Sequence, residues 1–418
     1  DRSDSGSVSV SEDDFSEDVL NVLDGAKKLF QYDASRRQAT SIIMLAVIGS
    51  EFQKDHGTLT NTKTEKPSND PHKKVGFQAE LLLPSRVVYL TSRALMFILL
   101  KSQSNRTLSY TSMRRAAIDL IGRGFPLWEP YMDVSAVLMA LLELCPDNRS
   151  HVASFSKGLP LSSAADSQRS ARHALTLIST TRPLMFITTL AKEVARSSSA
   201  QASLSFNQAS PAAIAVYSHV RHQPSSSDIQ HSSTLHRSKK EILRVLELMI
   251  DKTQQEVIQL LPEVVQIVVH CVESRQLKER GLIEIFPALF RFHMISYCSN
   301  TRRLAVGSKS GQLTIYELRS AREQVIPAHS SAITAVLFSK DGKLLATYSY
   351  EEAKVNFWQA SSSLFGVLGS GIKCIRSTNV SKEVKITSAN LKQTKLVWVN
   401  QKSVVLLLAD STQYKFTV

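Results

Sequence analysis

Apolar residues recur at three- and four-residue steps up to Phe292 and at two-residue steps after it. The chain therefore predicts a helical part followed by a part built of strands. In the helical part, residues 37–48 carry Ile42, Ile43, Leu45 and Ala46 and stop at Gly49. Residues 85–100 follow Pro84, and residues 111–121 end at Gly122 and Gly124. Asp133 is placed to cap a helix on which Val134, Val137, Leu138, Leu141, Leu142 and Cys145 form one stripe. Residues 171–178 and 184–194 continue the series, with Pro183 at a helix start. The pattern returns at Lys239, with Ile242, Val245, Leu246, Met249 and Ile250 on one face. Thr253 and Glu256 then form a capping box, Pro262 interrupts, and residues 263–272 and 282–292 close the helical part. Each helix has a single apolar stripe, and stacking in pairs, as in a HEAT or armadillo-like solenoid, buries all of them.

The strand part states one pattern twice. Leu304-Ala305-Val306-Gly307-Ser308, a polar turn, and Leu313-Thr314-Ile315-Tyr316-Glu317 are echoed by Leu345-Ala346-Thr347-Tyr348-Ser349, a turn, and Val355-Asn356-Phe357-Trp358-Gln359. The interval of about 40 residues is that of WD-type propeller blades, each four short strands. In the second copy Asp341-Gly342 is a strong hairpin signal. His329, Ser349 and Trp358 fall where such blades place a hydrogen-bonded chain that pins their hairpins, with Glu351 or Glu352 in place of its aspartate. In the first copy Ser310 stands at the acid's place and Tyr316 at the tryptophan's, without an upstream histidine. Residues 372–376, 396–400, 404–408 and 414–418 predict a worn third blade. A closed propeller needs four to eight blades, so these are either completed by sequence elsewhere or set as a cap on the helical stack.

The fold class is therefore α+β and multidomain, an α-helical solenoid followed by incomplete WD-type β-propeller blades. Residues 1–14, rich in Ser and Asp, predict a disordered acidic N-terminus. Residues 15–197 are the helical repeat region with a polar loop at 51–78, residues 198–236 a Ser-rich flexible loop, residues 237–292 the helical region continued, and residues 293–418 the blades. The chain has 418 residues and begins with Asp1, which suggests a fragment of something longer. Cys145, Cys271, Cys298 and Cys374 are far apart and form no CxxC pair, so the expectation is a reduced, cytoplasmic protein. Its longest apolar runs, 42–48 and 136–142, are too short to span a bilayer.

Charge changes the picture by its location. The formal net charge is +13, and residues 293–418 hold 16 Lys and Arg against 7 Asp and Glu. That basic surface suits an acidic protein or an anionic membrane. It lacks the finger, recognition helix or aromatic interleaving of a nucleic-acid binder. Arg302, Arg303, Lys340 and Lys343 fall in predicted hairpin turns and are the candidate partner-binding residues.

No reaction site emerges. There is no Walker loop, GxGxxG, GxSxG or HExxH. Gly122-Arg123-Gly124 follows a helix and reads as a helix stop. His219, His222, His231 and His236 lack the cysteines or spaced carboxylates of a metal site. Asp119 reads as a cap for a neighbouring helix. The expectation is a non-enzyme with no catalytic, metal or cofactor-binding residues.

Several long strings carry a resemblance. Residues 114–125 read RRAAIDLIGRGF, residues 128–139 read WEPYMDVSAVLM, and LLELC follows at 141–145. With Phe186-Ile187-Thr188-Thr189, Ala191-Lys192-Glu193-Val194 and the second blade, they make the chain similar to the C-terminal region of the WD repeat-containing rabconnectin-three beta family. That resemblance implies a non-catalytic scaffold paired with a DMX-like alpha subunit and peripheral on vesicle and endolysosomal membranes. It would support assembly and activity of the vacuolar proton pump, hence vesicle acidification. The alternative is a trafficking coat or adaptor that binds acidic partners or anionic membrane through the basic blades.

Overall fold

A computed structural model describes residues 85–100, 108–146, 163–207, 226–360, 372–380 and 394–418, together with Ser41 and Met44. The expectations for residues 1–14 and for the loop at 51–78 lie outside the described residues, as do His219 and His222. The chain divides into two compact units at Asp133 and Val134.

In the first unit, α1 (Ser85–Leu100) and α2 (Leu108–Arg123) bury their apolar stripes through Val88, Leu95 and Leu99 and through Ala117, Ile118 and Ile121. Arg114 donates to the carbonyl of Leu99 at 3.2 Å and caps the end of α1. The α2 helix runs through Gly122 and stops at Gly124. There the short α3 (Phe125–Trp128) folds back so that the Trp128 indole donates to the Leu120 carbonyl at 3.1 Å. A side chain at Gly124 would collide with that indole, so the second glycine is needed for close approach. Asp119 pairs with Arg123 one turn along its own helix and, among the described residues, caps no neighbouring helix.

The second unit holds both helices and sheets. Its helices are α4 (Val134–Glu143), α5 (Ser163–Thr181), α6 (Pro183–Asn207), α7 (Ser226–Arg237), α8 (Lys239–Lys252), α9 (Gln254–Gln259), α10 (Leu261–Cys271), α11 (Ser274–Glu279) and α12 (Leu282–Ile285). The long α6 packs against α7, α9 and α10, and α5 against α4 and α8. Two buried carboxylates tie the helices. Glu193 accepts from Ser135, Arg196 and His231, and Glu241 lies between Arg172 and Arg244. Part of the stretch read as a Ser-rich flexible loop is helical, because α6 continues past Ser198 to Asn207 and α7 begins at Ser226. Ser198 and Ser199 turn their hydroxyls onto the carbonyls of Val194 and Ala195, and Ser197 bonds Ser232 at 2.8 Å. Serine costs a helix little when its hydroxyl is satisfied this way. No single helix among the described residues is long and apolar enough to cross a membrane. A pair bent by 114°, Ala165–Thr181 with Pro183–Ser199, passes that test only jointly, by length and composition.

The strands form antiparallel meanders. Sheet 1 is β1 (Ile295–Cys298), β2 (Arg303–Gly307), β3 (Gln312–Glu317) and β4 (Arg322–Pro327). Sheet 2 is β5 (Ala335–Phe338), β6 (Leu344–Ser349), β7 (Lys354–Ala360) and β8 (Ile372–Asn379). Sheet 3 is β9 (Lys395–Asn400), β10 (Ser403–Leu407) and β11 (Gln413–Thr417). Sheets 1 and 2 pack through Ala305, Leu313, Ile315, Ile333, Phe338 and Trp358. Sheets 2 and 3 pack through Tyr348, Val355, Phe357, Val404, Leu406 and Phe416. Full burial of each such side chain contributes roughly 1.5–3 kcal/mol. Among the described residues these sheets form no closed ring. Leu304, Val306 and Tyr316, on the other face of sheet 1, are buried, β2 lies against α10, and the Tyr316 hydroxyl donates to the Pro262 carbonyl at 3.4 Å. The helices thus cap the first sheet, and the division expected between residues 292 and 293 runs through one compact unit.

Candidate interaction surface

The second sheet is locked by a chain of polar bonds in an otherwise apolar interface. Trp358 Nε1 donates to Thr347 Oγ1 at 3.0 Å, Thr347 Oγ1 lies 2.9 Å from His329 Nε2, and His329 Nδ1 lies 2.8 Å from Glu352 Oε2. An indole nitrogen only donates. The chain is therefore consistent with Thr347 passing its proton to Nε2 and with a neutral imidazole that donates from Nδ1 to an ionised carboxylate. Burial holds the His329 imidazole below its ordinary value of 6.5, against the pull of Glu352. Burial opposes ionisation of Glu352, yet bonds from Ser330 and His329 bring its carboxyl down to about 2. The Ser331 amide also donates to Glu352, at 3.0 Å, so the residue pins the whole loop before β5. Asn356 extends the lock, donating to the Ala328 carbonyl at 2.7 Å and accepting from Ser377 at 2.7 Å.

The hydroxyl in this chain is Thr347, not Ser349. In the register of β6 against β7, Leu345 faces Trp358, Thr347 faces Asn356, and Ser349 faces Lys354. One diagonal step, about 7–8 Å between backbone positions, is within reach of an indole, and two steps are not. Ser349 is buried, and its hydroxyl has no partner. Glu352 takes the acid's place and Glu351 is exposed.

In sheet 1 the corresponding turn is closed by Ser308 and Ser310, whose hydroxyls are 2.8 Å apart, with the Gln312 amide donating to Ser308 at 3.0 Å. Gly311 sits at φ 81 and its carbonyl accepts from the amides of Ala328 and His329. The turn of the first sheet and the histidine loop of the second are thus clamped backbone to backbone.

The opposite rim gathers cations. In the β5–β6 turn Asp341 accepts from Ser339 at 2.7 Å and from the Lys343 amide at 3.1 Å, while Gly342 takes φ 71. Those bonds, Ser339 first, depress the Asp341 carboxyl. This turn lies on the β1–β2 turn, because Asn300 Nδ2 donates to the Lys340 carbonyl at 2.9 Å. Arg319, from the β3–β4 turn, donates to the Asn300 carbonyl at 3.0 Å. Arg302 and Arg319 both act electrostatically on the Tyr297 phenol, which burial raises and they lower. Lys340, Lys343 and Arg319 are exposed and Arg302 half-buried. Arg303 differs, since it is tied to Glu317 by bonds of 3.1 and 2.9 Å and serves the sheet. Reading the sequence turn by turn leaves out Arg319, because only adjacent packing brings three separate turns to one rim.

Among the described residues no group of three or more His, Cys, Asp or Glu could hold a metal ion. His231 bonds Glu193, and His236 lies near His270.

No family model matches the sequence. Solved structures that are weakly similar include two beta-propeller-type matches. The beta-propeller domain of Cps50 (Swd1) from Myceliophteria thermophila has 12% identity and a TM-score of 0.24, covering 29% of this chain and 38% of that one. Hsv2 of Kluyveromyces lactis has 12% identity and a TM-score of 0.23, covering 30% of this chain and 45% of that one. The matched region spans less than half the length of either protein.

Proposed function

We propose that this chain is a non-catalytic scaffold in which WD-type sheets seated on a helical body offer a basic rim to an acidic partner. The observation that carries the reading is the rim itself. Arg302, Arg319, Lys340 and Lys343 come from three turns held together by side-chain donors, Asn300 and Arg319, on backbone carbonyls. The nearby carboxylates are already engaged, Glu317 by Arg303 and Asp341 within its own turn. Cations fixed in this way steer and orient an anionic surface more than they add raw affinity. The similarity of residues 114–145 and of the second blade to the rabconnectin-three beta family supports a specific form of this proposal. In that form the helices pair as an armadillo-like solenoid, the partner is a DMX-like subunit, and the assembly supports the vacuolar proton pump on the cytoplasmic face of vesicles.

Purified chain mixed with a DMX-like subunit and the peripheral subunits of the pump tests it. Retention that weakens with salt and is lost in a triple variant, Arg302→Glu, Lys340→Glu and Lys343→Glu, is the expected result. No retention at low salt would sink the proposal. The same rim favours a second reading, an adaptor on anionic membrane. Flotation with phosphatidylserine vesicles, abolished by the triple variant in the absence of protein partners, would select it.

A further inference from the structure

Two turns of sheet 1 bring two guanidiniums and a phenol together. The Leu318 amide donates to the Arg302 carbonyl at 3.0 Å and Arg319 donates to the Asn300 carbonyl at 3.0 Å, so the β1–β2 and β3–β4 turns fix each other's arginines. Both arginines act on the phenol of Tyr297, whose ring packs against Phe290 and whose oxygen accepts from the Leu282 amide. Burial raises that phenol, which therefore keeps its proton at neutral pH and can donate it. Among the described residues the Arg302 guanidinium forms no ion pair and no hydrogen bond. Glu317, across from Arg303 on β3, has one oxygen taken by Arg303 and the other by Ser320. The described residues thus supply donors at this point and no carboxylate to match them.

We infer that Arg302, Arg319 and the Tyr297 hydroxyl bind a phosphate group carried on a serine within an acidic polypeptide segment, an inference that rests on the acidic-partner reading above and names the anion. The donor set selects it. One guanidinium saturates a carboxylate in a two-bond fork, whereas two guanidiniums and a hydroxyl match the three oxygens and the charge of about −1.5 to −2 of a phosphoserine. Position selects the carrier. Arg302 is half-buried while Arg319 and Lys340 are exposed, which suits an anion that enters on a side chain better than a flat lipid surface. Lys340 and Lys343 adjoin the site through the Asn300 bond to the Lys340 carbonyl, and they meet the acidic residues that flank the phosphoserine. The left-handed φ of 53 at Arg302 does not mark a site by itself, since Ala321 holds φ 51 in the next turn. It supplies a handle, because the β5–β6 turn meets the same need with Gly342 and glycine fits at 302 without strain.

Three labelled peptides of one acidic sequence, with phosphoserine, Glu or Ser at the centre, provide the probe. Anisotropy with the 418-residue chain is expected to show the phosphoserine peptide binding at least about tenfold tighter than the Glu peptide. Arg302→Gly is expected to abolish that preference with a melting temperature unchanged or higher, so the loss is not one of folding. Arg302→Lys keeps the charge without the fork and is expected to lose most of the preference, and Tyr297→Phe part of it. Lys340→Glu with Lys343→Glu is expected to weaken all three peptides and leave their ratio unchanged. Equal binding of the phosphoserine and Glu peptides would overturn the inference and leave the acidic rim standing, whereas binding of none would remove both. A preference that survives in Arg302→Gly would also overturn it. So would displacement of the phosphoserine peptide by inorganic phosphate at equal concentration, or tighter, Arg302-dependent binding to phosphatidylcholine vesicles containing phosphatidylinositol phosphate, since these assign the site to the free ion or to a lipid headgroup.

Discussion

His329 Nδ1 and Glu352 Oε2 lie 2.8 Å apart, a neutral imidazole against an ionised carboxylate, and the pair fastens the loop before β5 to the turn between β6 and β7. Both groups are held below their ordinary pKa values, His329 by burial and Glu352, against burial, by the bonds of Ser330 and His329. Below pH 6.5 an unfolded chain takes up a proton that folded His329 refuses, so stability is full above 6.5 and falls as pH drops through it. His270, which burial lowers to about 4, adds a loss of the same sign between 6.5 and about 4. Glu352 adds a further loss as pH falls from 4.5 to about 2. Urea unfolding followed from neutral pH downward is expected to show this slope, and His329→Gln to flatten it while costing about 1–2 kcal/mol at neutral pH. An unchanged slope in that variant would assign the acid sensitivity elsewhere.

Thr347 and Ser349 make a paired test, because they share a strand face but not a role. Thr347→Val leaves the Trp358 indole and His329 Nε2 without their common partner and is expected to destabilise by about 1–3 kcal/mol. Thr347→Ser keeps the hydroxyl and should recover more than half of that. Ser349→Ala removes a buried hydroxyl that has no partner, so it should be neutral or stabilise by up to about 1 kcal/mol. Chemical denaturation of the three variants decides it, and a larger loss at Ser349 than at Thr347 would reverse the assignment.

What the sequence made legible is what depends on short range. The Asp341-Gly342 turn, the strands flanking it, and the His329 and Trp358 positions follow from local spacing and alternation. Thr347 was not legible, because Thr347 and Ser349 share one strand face and only the register of β6 against β7 selects between them. Tyr316 reads as a worn tryptophan, whereas its neighbour is Pro262, far away in sequence and beyond any periodicity argument. Ser198 and Ser199 read as linker because composition ignores hydroxyls folded back onto their own helix. The rim was half legible, since the turns announced Lys340 and Lys343 but only packing adds Arg319 and removes Arg303.

Gly311 supplies a conformational test of the contact between sheets 1 and 2. Its φ of 81 is unfavourable for any L side chain, and a Cβ there would strike the carbonyl of His329. Gly311→Ala is expected to cost about 2 kcal/mol or more. Because the Ala328 and His329 amides donate to the Gly311 carbonyl, the loss should expose the histidine loop first. Amide exchange at Ala328 and His329 that stays protected in the variant would count against the clamp.

The rim separates binding from folding. Lys340 and Lys343 are exposed, so Lys340→Glu with Lys343→Glu should move stability by no more than about 0.5 kcal/mol. It should nonetheless slow association with an acidic partner and invert the salt dependence of the on-rate, since exposed charges act through steering and are screened over about 10 Å at 0.1 M salt. Arg303→Ala should do the reverse. It breaks the half-buried bond to Glu317, with side chains 16% and 25% exposed, costing about 1–2 kcal/mol with little change in association rate. Stopped-flow association and thermal unfolding of the two variants, side by side, give the readout. A destabilised Lys340/Lys343 variant with unaltered kinetics would mean that these lysines hold the turn and dock nothing.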